Sequence, residues 1–188
     1  MANKPIHGPT IALAGGGYFN FEDPKLSEIK ITDIAHALSH ICRFTGHCVR
    51  YYSVAEHSVL TSYAVPHRFA FEALMHDAAE AYIGDIAKPL KQLLPDYAVI
   101  ENRVETEVLS RFNLCLPLSP EVKQADRNML RTEQAQVMQN RDNWTSITGS
   151  TALDTTVRFL PPNDAREAFL KRFDELEWMQ QVESVAHG

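Results

Sequence analysis

Met75-His76-Asp77-Ala78-Ala79-Glu80 lies in the middle of a long apolar-patterned run, and its reading decides the fold. The run starts near His67 and carries Phe71, Leu74, Met75, Ala78 and Tyr82 towards Gly84, a spacing that predicts one helix. A His and an Asp side by side in a buried helix are costly, because unpaired buried polar groups and charges are expensive. A metal ion is the simplest partner for them; a hydrogen-bonded polar pair is the bland alternative. Glu80 follows His76 by four residues, so the two share a helix face. They offer either a ligand pair or a ligand with a carboxylate for proton transfer beside it. No His-Glu-x-x-His pattern is present, which weighs against a metalloprotease.

Working outward, the pattern predicts more helices. One begins near Thr32-Asp33, either of which could cap it; it carries Ile34, Leu38 and Ile41 and ends near Gly46. A second runs from about Ser53 to Val65, stopped by Pro66. Lys88-Pro89 and Leu94-Pro95 punctuate a loop, and helices follow over roughly Tyr97 to Phe112 and Pro120 to Asn140. From 141 to 162 the periodicity is lost, giving a long loop in which Trp144 and Arg158 are candidates for pocket or subunit contacts. A last amphipathic helix, within 163–188, presents Phe169, Phe173, Leu176 and Met179 to a core.

Upstream, Thr10-Ile11-Ala12-Leu13 and Tyr18-Phe19-Asn20-Phe21 read as short strands around Gly15-Gly16-Gly17. The glycines read as a flexible turn rather than a phosphate cradle, since no Gly-Lys-Ser/Thr follows. The expected architecture is one all-α domain over 1–188. It has an irregular or β lead-in over 1–30, a core over 31–140, the loop, and a C-terminal helix.

Composition narrows the function. With 188 residues, 45% hydrophobic and 22% charged, the chain has the make-up of an ordinary globular protein with a sizeable core. A formal net charge of −6 gives no basic footprint and argues against a nucleic-acid polymer as partner. A small anion remains compatible, because local cations or a metal outweigh the global sign. Cys42, Cys48 and Cys115 have no paired spacing and read as small buried residues in a reducing compartment. The start, Met1-Ala2-Asn3-Lys4-Pro5, has no apolar targeting region, and no run approaches the ~18 apolar residues of a membrane span. A cytoplasmic protein with no membrane partner is expected.

Divalent metals take His nitrogen and Asp or Glu oxygen, and catalytic sites keep a position open for water or substrate. Four candidate ligands fall on three expected helices: His57 in Val54-Ala55-Glu56-His57-Ser58, His76 with Asp77, and Asp126 in Lys123-Gln124-Ala125-Asp126. Neighbours on a helix point ~100° apart, so His76 and Asp77 can share an ion only if it sits between helices.

The order His57, His76-Asp77, Asp126 resembles the H…HD…D signature of HD-domain metal-dependent phosphohydrolases. The flanking Ala55-Glu56-His57-Ser58, His76-Asp77-Ala78-Ala79-Glu80, Gly84-Asp85, Lys88-Pro89-Leu90-Lys91 and Lys123-Gln124-Ala125-Asp126 are similar to the bacterial 5′-deoxynucleotidases and to small viral HD-type deoxynucleoside triphosphate hydrolases. The likeness spans about residues 31 to 140. It implies an HD-domain helical bundle, with His57, His76, Asp77 and Asp126 holding one divalent ion (Mn²⁺, Co²⁺, Zn²⁺ or Mg²⁺). It implies Glu80 as acid/base, Asp85 on the sugar 3′-hydroxyl, and Arg43-Phe44 on phosphate and base.

Lys88 and Lys91 add positive charge that could neutralise the phosphate. The implied reaction is attack of metal-bound water on the 5′-phosphate of a (deoxy)nucleoside monophosphate. A triphosphohydrolase of the same fold and a non-catalytic nucleotide-binding module are the alternatives. A homo-oligomer is the implied assembly.

Overall fold

The structure, a computed structural model, describes residues 8–186, with the side chains of 183–186 left aside. The expectation about the first five residues therefore falls outside the described part. A short hairpin opens the fold: β1 (Thr10–Ala12) pairs antiparallel with β2 (Tyr18–Asn20), with Ile11 opposite Phe19. The glycines between them make the turn, and Gly16 sits at φ +86, where a side chain would be strained. Gly15 donates its N–H to Asp33 at 2.7 Å, and a Cβ at that position would meet the same carboxylate oxygen at 2.7 Å. Asp33 is therefore spent on the hairpin rather than on capping.

The rest is helical, as the periodicity indicates: α1 (Ile31–His40), α2 (Val54–Tyr63), α3 (Ala70–Met75), α4 (Glu80–Ile83), α5 (Lys88–Lys91), α6 (Pro95–Ser110), α7 (Pro120–Gln136) and α8 (Pro162–Ala186). Ile34, Leu38, Val54, Leu74, Val108 and Phe169 are fully or almost fully buried in one cluster, which packs α1, α2, α3, α6 and α8 together. A smaller cluster of Tyr52, Met129, Val137 and Val157 lies beside α7. Prolines at the first turns of α6, α7 and α5 fix their starts, as a ring lacking an N–H fits best there.

Several boundaries differ from the periodicity reading, each for a visible reason. α1 ends at His40, not near Gly46: Arg43 N–H donates to Tyr52 O and Val54 N–H to Ile41 O, so the chain turns extended beyond Ile41. The single helix expected over 67–84 is interrupted at His76–Ala79. There Ala78, Glu80 and Tyr82 N–H groups reach back three residues, to Met75, Asp77 and Ala79 carbonyls. His76 and Ala79 keep helical dihedrals, so the axis is tightened rather than reversed. The expected loop after Gly84 contains the one-turn helix α5, and α7 stops at Gln136 instead of Asn140. Cys115 is exposed and Cys42 and Cys48 are half-buried, against the expectation of buried thiols.

The stretch 141–162 is not a slack loop, although only Thr145–Ile147 forms a helical turn. Asn128, Thr132 and Gln136, at successive four-residue intervals on α7, bond the backbone of Thr151, Leu153, Thr155 and Val157. Glu56 on α2 then accepts N–H bonds from Arg158, Phe159 and Leu160 at 2.6, 3.2 and 2.8 Å. Charged acceptors make the stronger hydrogen bonds, so this carboxylate is a firm tether. Among the described residues no helix is long and apolar enough to cross a membrane.

Candidate metal centre

Three stretches deliver the candidate ligands. Ser53 caps α2 by accepting the Glu56 N–H, which starts the helix so that His57 lies fully buried in its first turn. The tightened turn at 76–79 brings His76 and Asp77 to the same side. Its three-residue repeat is reinforced by the His76 ring, whose Nδ1–H donates to Ala73 O at 2.7 Å. Asp126 comes from the buried side of α7, beside Val122, Ala125 and Met129.

The side-chain ends converge. His57 Nε2 lies 3.3 Å from His76 Nε2, 3.4 Å from Asp126 Oδ1 and 3.6 Å from Asp77 Oδ2. His76 Nε2 lies 3.2 Å from Asp77 Oδ2 and 3.9 Å from Asp126 Oδ1. Ligands ~2.1 Å from one ion sit about 3.0–3.4 Å apart in octahedral or tetrahedral shells, so these spacings match a slightly open shell. His57, His76 and Asp126 form a group whose ligand atoms all lie within 4.8 Å, and the group could hold a metal ion. Both histidines turn Nε2 inward and give Nδ1 to an oxygen acceptor, which is how metal-binding imidazoles are usually oriented. The donor set is two imidazoles with carboxylate, and two nitrogens 3.3 Å apart without a cation between them need a shared proton. The residues therefore fit a divalent ion.

Electrostatics agree. Burial and Arg43 push His57 down, but Glu133 and hydrogen bonds to Asp126 and Glu133 outweigh them, and its pKa is pushed up to about 9. Burial also lowers His76, while Asp77 and Asp126 raise it above its usual value. Asp77 is raised by burial but held well below the carboxylate range by His76, His57 and Arg43. In the metal-free chain these protons stand where an ion would. The raised His57 pKa contributes stability that is fully present below pH 6.5 and lost as pH rises through about 9. An ion displaces the proton, so its binding strengthens over that window. The Mn²⁺-induced rise in Tm is accordingly expected to grow from pH 6.5 to pH 9. A calorimetric series showing a constant or shrinking rise would refute the assignment.

The other sequence-predicted residues fall as follows. Glu80 opens α4 almost fully buried; its Oε2 has no hydrogen-bond partner, and Lys91 Nζ stands 4.0 Å from Oε1. Burial first, then the charges of Asp77 and Asp85, raise its pKa well above the usual value. Asp85 is half-buried just beyond α4, and burial raises its pKa too. Lys91 is tied to Glu101 at 2.5 Å, and Lys88 is exposed at the start of α5. Arg43 does not reach out as a free phosphate hook. It is 8% exposed, with Nη2 on Glu133 at 3.0 Å and Nη1 3.6 Å from Asp77; only Nε is buried without a partner.

Phe44 is half-buried, its ring 5.4 Å from the Arg43 guanidinium and 6.3 Å from the Trp144 ring. Phe44 and Thr45 both have φ +54, a left-handed backbone costing of order 1–3 kcal/mol per residue, a strain concentrated at functional sites. Sequence reasoning missed Glu133, which is buried against His57, Arg43 and Tyr52. Its signal was available: it follows Asp126 by seven residues, two turns on and on the same face of α7.

No family model matches the chain. It is 42% identical over 173 residues to the uncharacterized protein YfdR of Escherichia coli, covering 91% of this chain and 97% of that protein. It is 32% identical over 139 residues to an uncharacterized protein of Rhodobacter capsulatus, covering 66% of this chain and 71% of that one. At that identity and coverage, the chain belongs to the YfdR family.

Proposed function

We propose that this protein is an HD-type, divalent-metal-dependent phosphohydrolase that cleaves the 5′-phosphate of a (deoxy)nucleoside monophosphate, giving the nucleoside and phosphate. The supporting observation is the meeting of His57, His76, Asp77 and Asp126 from separate stretches, with Glu80 outside the ion pairs among them. Those four would hold one ion. When bound there, a divalent ion polarises a phosphoryl oxygen and lowers the pKa of a water it holds.

The chain's own groups supply the rest. Glu80, whose Oε2 is unpartnered and whose pKa is raised by burial, would deliver a proton to the departing 5′-oxygen. Asp85, just beyond α4, would take a sugar hydroxyl, and Phe44 would offer a ring face to the base. Lys88, exposed on α5, would bring positive charge to phosphate, and Lys91 would do so on leaving Glu101. The reading carries with it a cytoplasmic homo-oligomer whose partner is a nucleotide. Metal-stripped protein is assayed with Mn²⁺, Co²⁺, Mg²⁺ or Zn²⁺ against the natural mono- and triphosphates. Phosphate release from monophosphates supports the reading. Release of tripolyphosphate moves it to the triphosphohydrolase, and no release from any nucleotide overturns it.

A further inference from the structure

Glu133 is 0% exposed, in the last turns of α7, and offers no atom to the ligand cluster itself. Its two oxygens nevertheless take three donors from three parts of the chain. Oε1 accepts from His57 Nδ1 at 2.6 Å and from Tyr52 OH at 2.8 Å, and Oε2 accepts from Arg43 Nη2 at 3.0 Å. A buried ionised carboxylate can only accept, so the His57 nitrogen facing it must carry the hydrogen. That leaves Nε2 as the ring atom directed at His76, Asp126 and Asp77, open to an ion once it gives up its own proton. The guanidinium held by Oε2 is the one whose Nη1 comes within 3.6 Å of Asp77. One carboxylate thus restrains two members of the cluster, His57 directly and Asp77 through Arg43.

We propose that Glu133 is a positioning residue for divalent-metal binding, fixing His57 as the Nδ1–H tautomer and bracing Asp77 through Arg43. The proposal rests on the metal-dependent reading above, but its test reads the metal and not turnover. Groups standing behind metal ligands set ring orientation and basicity, and losing them typically costs 10–100-fold in affinity. Tyr52 separates this role from plain packing: its hydroxyl bonds the same Oε1 and, among the described residues, makes no hydrogen bond to His57 or Asp77.

Full-length, metal-stripped wild type, Glu133→Gln and Tyr52→Phe are titrated with Mn²⁺ by calorimetry and with Co²⁺ by its visible absorption. Glu133→Gln should bind Mn²⁺ about 10–100-fold more weakly and shift the Co²⁺ spectrum. Tyr52→Phe should lower Tm while leaving affinity and spectrum as in the wild type. Unchanged affinity in Glu133→Gln overturns the proposal, as does an equal loss in the two variants. If Glu133→Gln does not fold, long-range ¹H–¹⁵N spectra of the wild-type His57 ring, recorded above about pH 9 where the ring is neutral, decide: a bare Nδ1 with the hydrogen on Nε2 overturns the proposal, and the hydrogen on Nδ1 with a bare Nε2 upholds it. A wild type that binds Mn²⁺ but hydrolyses no nucleotide sinks the phosphohydrolase reading and leaves this one standing.

Discussion

Asp77→Ala is expected to abolish binding of one divalent ion per chain and to lower phosphate release about a thousandfold or more. The Asp77 carboxylate is anionic throughout the working pH range, because His76, His57 and Arg43 outweigh its burial. Its Oδ2 is the oxygen nearest to His76 Nε2, at 3.2 Å, and lies 3.6 Å from His57 Nε2. Removing it leaves two imidazoles and Asp126 as the remaining donors, and leaves Arg43 paired to Glu133 alone. A bound metal is worth several kcal/mol of transition-state stabilisation, and each 1.36 kcal/mol is a factor of ten in rate. Asp77→Asn keeps the volume while removing the charge, and should fall nearly as far. Metal content measured on the folded variants decides the matter. Full occupancy in Asp77→Ala would exclude Asp77 from the shell, and undiminished turnover would place the reaction elsewhere.

That prediction was written largely in the sequence. The adjacent His76 and Asp77, the His57 one helix earlier and the Asp126 one long helix later are residue types and spacings that survive any error of a few residues in a helix boundary. What was not legible depends on where side chains turn. The interruption at 76–79 cannot be read from periodicity, because helical dihedrals persist and only the hydrogen-bond partners move by one residue. Arg43 reads as a substrate cation until burial shows it closed between Glu133 and Asp77.

The segment 141–162 is polar and irregular, the usual marks of a free loop. Its order comes from Asn128, Thr132, Gln136 and Glu56, all distant in sequence from the backbone they bind. Glu56 and Glu133 look alike in the sequence, both being carboxylates beside or behind a ligand. One fastens the loop and the other fastens His57.

Glu80→Gln is expected to leave metal binding intact and to lower kcat by about 10²–10⁴-fold, the range typical of a lost proton donor. The geometry sets this residue apart from the ligands. Its ion-pair contact is Lys91 at 4.0 Å, a loose pair, and that lysine is taken up by Glu101. Burial and the Asp77 and Asp85 charges favour the neutral form of the carboxyl, which is the form an acid must have at the moment the 5′-oxygen departs. The sign of the pH effect follows. A raised pKa keeps the donor form to higher pH, so activity falls on the alkaline side as pH rises through that pKa. An amide cannot ionise, so Glu80→Gln should lose this limb as well as the rate. A phosphomonoester with an activated leaving group, p-nitrophenyl phosphate, needs less proton donation, so its hydrolysis should suffer much less in the variant. If Glu80 were merely a carboxylate paired with a lysine, the variant would keep its kcat and its alkaline limb. Its only change would be in stability.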